Sequence, residues 1–308
     1  MNTLPSLRLI RRLIDHIQSE ANPIYHAPYH PPRVRLPNPI FGLLILLVAL
    51  QIIEMQSRAP LWLYRDPVIA FGAVFTVMAM VLVPSALIGA FAAHAIATEQ
   101  AAQRWDSLLL TTSADEEVLL VRAATGVRAA WLFVTGMRYV LIAAACLASL
   151  ASAVSLLMGE FGLIWAIVTL GAGCIGVGFS RTAENALAVE AGSAVGSAPP
   201  RLAFSLGAML GILVRLSVVL LVLVVAGEGV GLLALADALI RDWQVYPEYR
   251  ALVAVSLRLV VVFLMGEWSL VALSPSLPSL MAALWICLGR EWLVGRLAKA
   301  LFSGAGRR

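Results

Sequence analysis

The sequence predicts an all-α protein that crosses a membrane several times, and three observations carry the prediction. Hydrophobic residues make up 61% of the 308 residues and charged residues only 13%. Several uninterrupted apolar runs reach the roughly 20 residues that a helix needs to cross a bilayer. Between the second and third runs lies a dense patch of charge, Thr98 to Arg122, holding five acids and two arginines. Ionised groups are costly in hydrocarbon, so that patch belongs in water or at the membrane surface.

Residues 1–39 form a basic N-terminal segment. Leu9, Ile10, Leu13, Ile14 and Ile17 recur at helical spacing and predict a short amphipathic helix over Leu7 to Ile17. The stretch Ala21 to Pro39 is too rich in proline for a continuous helix. His26 and His30 would make a metal pair only on a helix, so they read as linker residues.

Residues 40–273 form the transmembrane domain, with spans near Ile40–Ile53, Val68–Ala97, Ala129–Met158, Phe161–Phe179, Leu202–Ala226 and Ala251–Leu273. Pro67 suits the first turn of the second span, and Pro84 predicts a kink within it. The polar stretch Ser180 to Arg201 reads as a loop with a helical extension. The segment Glu228 to Arg250, apolar over Leu232–Ile240 but short, reads as a re-entrant or surface helix. Residues 274–308 break the last span at Ser274–Ser279. They then give an interfacial helix over Leu280–Phe302, rather than a seventh crossing, and a tail.

Lysine and arginine fix the orientation. With the N-terminus inside, the cytoplasmic segments hold 15 of them and the opposite side only four, Arg58, Arg65, Arg241 and Arg250. Both termini and residues 98–128 are therefore expected in the cytoplasm. Within 98–128, Trp105, Leu108 and Leu109, then Val118, Leu119 and Val121, sit at helical spacing. Such helices lie along a membrane face or dock on a soluble partner.

Other chemistry finds little support. No basic segment is interleaved with aromatics, so nucleic-acid binding is not expected. Cys146, Cys174 and Cys287 lie in or beside apolar runs without paired spacing and read as free thiols. Gly171, Gly173 and Gly176 match the spacing GxGxxG, but no strand precedes them and they sit in an apolar run, where small residues serve close helix packing. Gly207 and Gly211 make a second packing face, GxxxG. The only lysine is Lys299, so the chain has no GxxxxGK[ST] phosphate loop. His94 is the one histidine within a span and reads as a satisfied side chain rather than a haem ligand. No catalytic set stands out; neither a cofactor nor a metal is expected, and the chain is not read as an enzyme.

Glu54, Arg138, Arg215 and Arg258 are ionisable residues within or at the rim of spans. Arg215 and Arg258 lie roughly 21 Å from the cytoplasmic ends of their spans at 1.5 Å per residue, and Glu54 falls at a similar depth. Pairing of Glu54 with one of these arginines, or snorkelling of the arginines to the outer headgroups, would satisfy them.

The charged segment resembles one found in permease subunits of ABC-2 type transporters. There the second span is followed by a pattern close to E-R-x-x-G-T-x-E-x-L-L-L-T-P-[LV]-S and a short helix ending in Gly-Lys. Here Glu99, Trp105-Asp106, Leu108-Leu109-Leu110-Thr111, Ser113, Glu116-Glu117, Val118-Leu119 and Arg122 fall in the same order. Thr112 replaces the proline, Arg122 replaces the lysine, and the Arg-x-x-Gly-Thr portion is absent. The resemblance implies six spans with cytoplasmic amphipathic coupling helices. Glu99, Trp105, Asp106, Leu108, Leu109, Thr111, Glu116, Glu117 and Arg122 would dock on a separate ABC ATPase subunit. It further implies a second permease copy, contact with membrane lipids, and a bacterial inner membrane. A non-transporting accessory or structural subunit of a larger membrane complex is the alternative.

Overall fold

The computed structural model describes residues 4–18, 67–103, 115–157, 162–227, 259 and 261–303, and these are helical with short turns between. The helices are α1 (Pro5–Gln18), α2 (Pro67–Ala101) and α3 (Asp115–Leu156). Helix α4 (Gly162–Ala194) carries one π turn at Ala172–Gly176, and α5 spans Pro200–Val225. Helix α6 (Val261–Leu273) is interrupted by a 3-10 turn at Gly266–Trp268, and α7 spans Leu277–Ser303. Among the described residues, α2, α3, α4, α5 and α7 each contain a stretch long and apolar enough to cross a membrane. The chain is a multi-pass membrane protein by that measure. The first expected span, 40–53, and Glu228–Arg250 lie outside the described residues.

Lipid tails are as apolar as leucine, so helices in a bilayer are held less by the hydrophobic effect than by close packing and polar contacts. The tightest seam here joins α2 to α5. A Cβ built on Gly207 would come within 2.4 Å of the Gly89 carbonyl oxygen, and one on Gly211 within 2.2 Å of that of Ser85. The GxxxG of α5 is thus a packing face, as expected. The GxGxxG run divides: Gly173 and Gly176 pack tightly against Ser149 and Trp268, while Gly171 and Gly178 face open space.

Two apolar cores fill the bundle, one toward each end. The first gathers Val77 and Val81 of α2, Leu141 of α3, Val222 of α5 and Val262 of α6. The second gathers Leu9, Ile10, Leu13 and Ile17 of α1 with Ile88, Leu120, Leu187 and Val294. Helix α1 therefore buries its apolar face in the protein, against the far ends of α3, α4 and α7. The chain's first and last described helices meet at one end of the molecule.

Three elements depart from the sequence reading. The loop with a helical extension expected over Ser180–Arg201 is helical through Ala194; its first polar residues, Ser180, Arg181, Thr182 and Glu184, face the interior and find partners there. The crossing expected over Ala251–Leu273 does not run straight through in its described part. Leu259 and Val262 on one limb and Leu273 and Ser274 on the other line one cavity of about 550 Å³ with Val222, Leu223, Val225 and Ala226. The α6 segment therefore enters and leaves at the same end. Its reversal is at Gly266, whose φ of +62° lies in the left-handed region that favours glycine. In place of an interfacial helix over Leu280–Phe302, α7 is a 27-residue rod, about 40 Å long. It starts beside that cavity, at Pro278, and ends in the α1 core, at Leu301.

Candidate functional site

Between the two cores lies a buried ionic cluster of three arginines and two glutamates. Arg181 and Glu184 come from α4, Arg215 from α5, Glu267 from the α6 turn and Arg290 from α7. All five are at most 6% exposed. Glu184 is the hub. Its carboxylate meets Arg181 at 3.0 Å and Arg290 at 3.2 Å, and accepts a hydrogen bond from Arg215. Arg290 also pairs with Glu267. Ser180 Oγ stands 3.3 Å from Glu184 and 3.1 Å from Glu267, within reach of donating to either.

The two remaining guanidinium arms explain why the chain can reverse at α6. A helix leaves its last carbonyls unsatisfied, and its C-terminus carries partial negative charge. The first limb of α6 ends at Met265, in the middle of the bundle, where water cannot serve those carbonyls. Arg181 donates to the Phe263 carbonyl at 3.0 Å and also to that of Leu264, and Arg215 donates to Phe263 as well. Gly266 then turns the chain. A Cβ there would sit 3.2 Å from Arg215 Nη1. The cluster is a clamp that binds α4, α5 and α7 to the tip of α6.

That chemistry fits a mechanical role better than proton transfer. Guanidinium stays protonated in proteins, Glu184 is held among three cations, and Glu267 is paired with Arg290. A crevice of about 10 Å³, no wider than one water, reaches Arg181 and Glu184 past Pro84 and Arg138. Arg138 stands at its edge and donates to Thr182 Oγ1 at 2.7 Å. Among the described residues no three histidine, cysteine, aspartate or glutamate side chains converge to hold a metal ion.

A second buried pair lies at the end of the bundle nearer α1. Glu99, in the last turn of α2, faces Arg122 of α3 at 3.3 Å, with both side chains at most 2% exposed. Gln103, at φ 55°, ends α2 just beyond.

The structure sorts the residues singled out from the sequence. Glu99 and Arg122 face each other in the interior, between α2 and α3. Glu116 and Glu117 fall in the first turn of α3. Trp105, Asp106, Leu108, Leu109 and Thr111 lie outside the described residues, as do Glu54 and Arg258. Arg215 is fully buried and does not snorkel; it meets the carboxylate of Glu184. His94 is satisfied, with Nδ1 3.2 Å from the Pro200 carbonyl and its ring edge-on to Phe204.

No family model, curated protein or solved structure matches this chain.

Sequence reasoning missed four members of the cluster: Arg181, Glu184, Glu267 and Arg290. Glu267 had a usable signal, an acid beside a glycine in the middle of an apolar run. The other three stand in polar stretches that look the same whether water or a buried partner satisfies them.

Proposed function

We propose that this chain is the membrane-spanning permease subunit of an ATP-driven transporter of the ABC-2 type, moved by a separate ATPase. The carrying observation is the root of the link between α2 and α3. These helices, of 35 and 42 residues, are about 52 and 63 Å long at 1.5 Å per residue. Both exceed a hydrocarbon core of about 30 Å. They act as levers, and the Glu99–Arg122 pair fastens them to each other where the link begins. A push on the link would then move both helices together.

The link joins α2 and α3 at the end where α1 and the last turns of α7 also lie. The excess of lysine and arginine in the segments at that end favours the cytoplasm for all of them. With α6 turning back on itself, α7 serves as the final crossing, and both termini stay on one side. Counting residues 40–53, this makes six crossings.

A second reading keeps one observation in its favour. The charge clamp is closed and apolar cores flank it, so the described residues of one protomer hold no polar path. An accessory subunit needs none; a permease would form its path between protomers.

Purification in mild detergent tests the proposal. An ABC ATPase is expected to co-purify, and Trp105→Ala or Leu109→Asp is expected to reduce the retained ATPase about tenfold. Association undiminished by both changes, or no ATPase at all, would remove the coupling role. A bound ATPase without transport in reconstituted vesicles would select the accessory reading.

A further inference from the structure

We propose that the corner where α1 meets the last turns of α7 is a binding site for the headgroups of anionic phospholipids. The inference rests on the multi-pass membrane reading and is independent of the transporter proposal.

Helix α7 carries an exposed stripe whose chemistry changes along its length. Trp285, Leu288 and Trp292 are 71%, 59% and 61% exposed, and Arg296 and Lys299 follow on the same face. The spacings of three and four residues place all five along one side of the helix. Apolar bulk, then an indole, then cations is the order met in passing from hydrocarbon through the interface to the headgroups. The Arg296 guanidinium lies over the Trp292 ring, 5.1 Å from its centroid. That contact holds the cation at the level of the indole.

Helix α1 supplies the second wall. Its N-terminus is tied to α7: Ser6 N donates to Glu291 Oε2 at 3.1 Å, and Ser6 Oγ donates to the same carboxylate. Because its apolar face is already buried in the protein, α1 has no need to insert in the bilayer. Arg8, Arg11 and Arg12 are left exposed on its other side. Among the exposed charged side chains of α1 and α7, five are basic and one, Asp15, is acidic. Glu291 is buried and occupied by Ser6. The charge of the corner therefore complements a phosphodiester carrying net negative charge, and the stripe below it accommodates acyl chains. A zwitterionic headgroup brings its own cation and gains less.

Native mass spectrometry of the full chain, released from nanodiscs of mixed phosphatidylglycerol and phosphatidylcholine, tests this. The wild-type protein is expected to retain phosphatidylglycerol in preference to phosphatidylcholine. Arg296→Gln, and separately Arg8→Gln with Arg11→Gln and Arg12→Gln, are each expected to lower that preference about tenfold. Arg201→Gln, an exposed arginine at the start of α5, is expected to leave it unchanged. These side chains are exposed, and an unchanged melting temperature in lipid-free detergent shows that the fold is kept. Equal retention of the two lipids by the wild-type protein would overturn the proposal, as would a preference that survives both sets of changes. Loss of an acidic protein partner with no change in lipid retention would likewise overturn it.

Discussion

Among the described residues, opposite charges pair in the interior at two places, and the two are built differently. Glu99 and Arg122 make one pair between two helices at an end of the bundle. The Glu184 cluster joins five charges from four helices in the middle, and two of its arginines also satisfy a helix end. Desolvation of charge is costly in both. In the pair the two charges face each other directly; in the cluster the cost is offset by several contacts sharing the same carboxylates. A pair can be exchanged for apolar side chains without leaving an orphan, whereas a network cannot be dismantled one member at a time.

The largest effect is expected at the hub. Glu184→Gln leaves three guanidiniums facing Glu267 alone, and should lower stability by about 3–5 kcal/mol, the range for breaking a buried pair. Thermal unfolding in detergent, followed by loss of the monodisperse peak, measures it; an unchanged midpoint would mean that the cluster is not a clamp. Adding Arg215→Met to that variant should not restore stability, because Arg181 stays without a carboxylate while Glu267 serves Arg290.

The end pair should behave otherwise. Glu99→Gln alone is expected to cost about 3 kcal/mol, since it removes the carboxylate charge that Arg122 faces in the interior. Glu99→Gln combined with Arg122→Met should recover most of that in the same unfolding assay. Failure to recover would show that the pair, too, belongs to a larger network.

The smallest change is predicted at Arg138, which borders the cluster and is only partly buried. It donates a hydrogen bond to Thr182 Oγ1, and Arg138→Gln should cost about 1 kcal/mol. A loss as large as that of Glu184→Gln would place Arg138 within the network.

Several elements were legible in the sequence because a local rule determines them. Helix α2 begins at Pro67, where a missing N–H does no harm. The stripe Leu9, Ile10, Leu13 and Ile17 marked α1 and is the face it buries. Gly207 and Gly211 marked a seam. The cluster was not legible, because ion pairing is a property of the folded chain: Glu184 and Arg290 are 106 residues apart. In sequence, SRTAENALAVE reads as a solvated helix end as readily as a lining of buried charge. The reversal at Gly266 was hidden for a related reason. Hydropathy summed over Ala251–Leu273 averages one glutamate into an apolar run and loses the break that it marks.

The seating of α1 on α7 has a consequence for how the molecule is made. Ser6 and Glu291 are 285 residues apart, and translation at about 5–20 residues per second separates their emergence by roughly 15–60 s. During that interval the surfaces of α3 and α4 that receive the apolar side of α1 have been synthesised, but that of α7 has not. The seat of α1 stays open on one side until the final rod is threaded, so insertion of α7 is the event that closes this end of the structure.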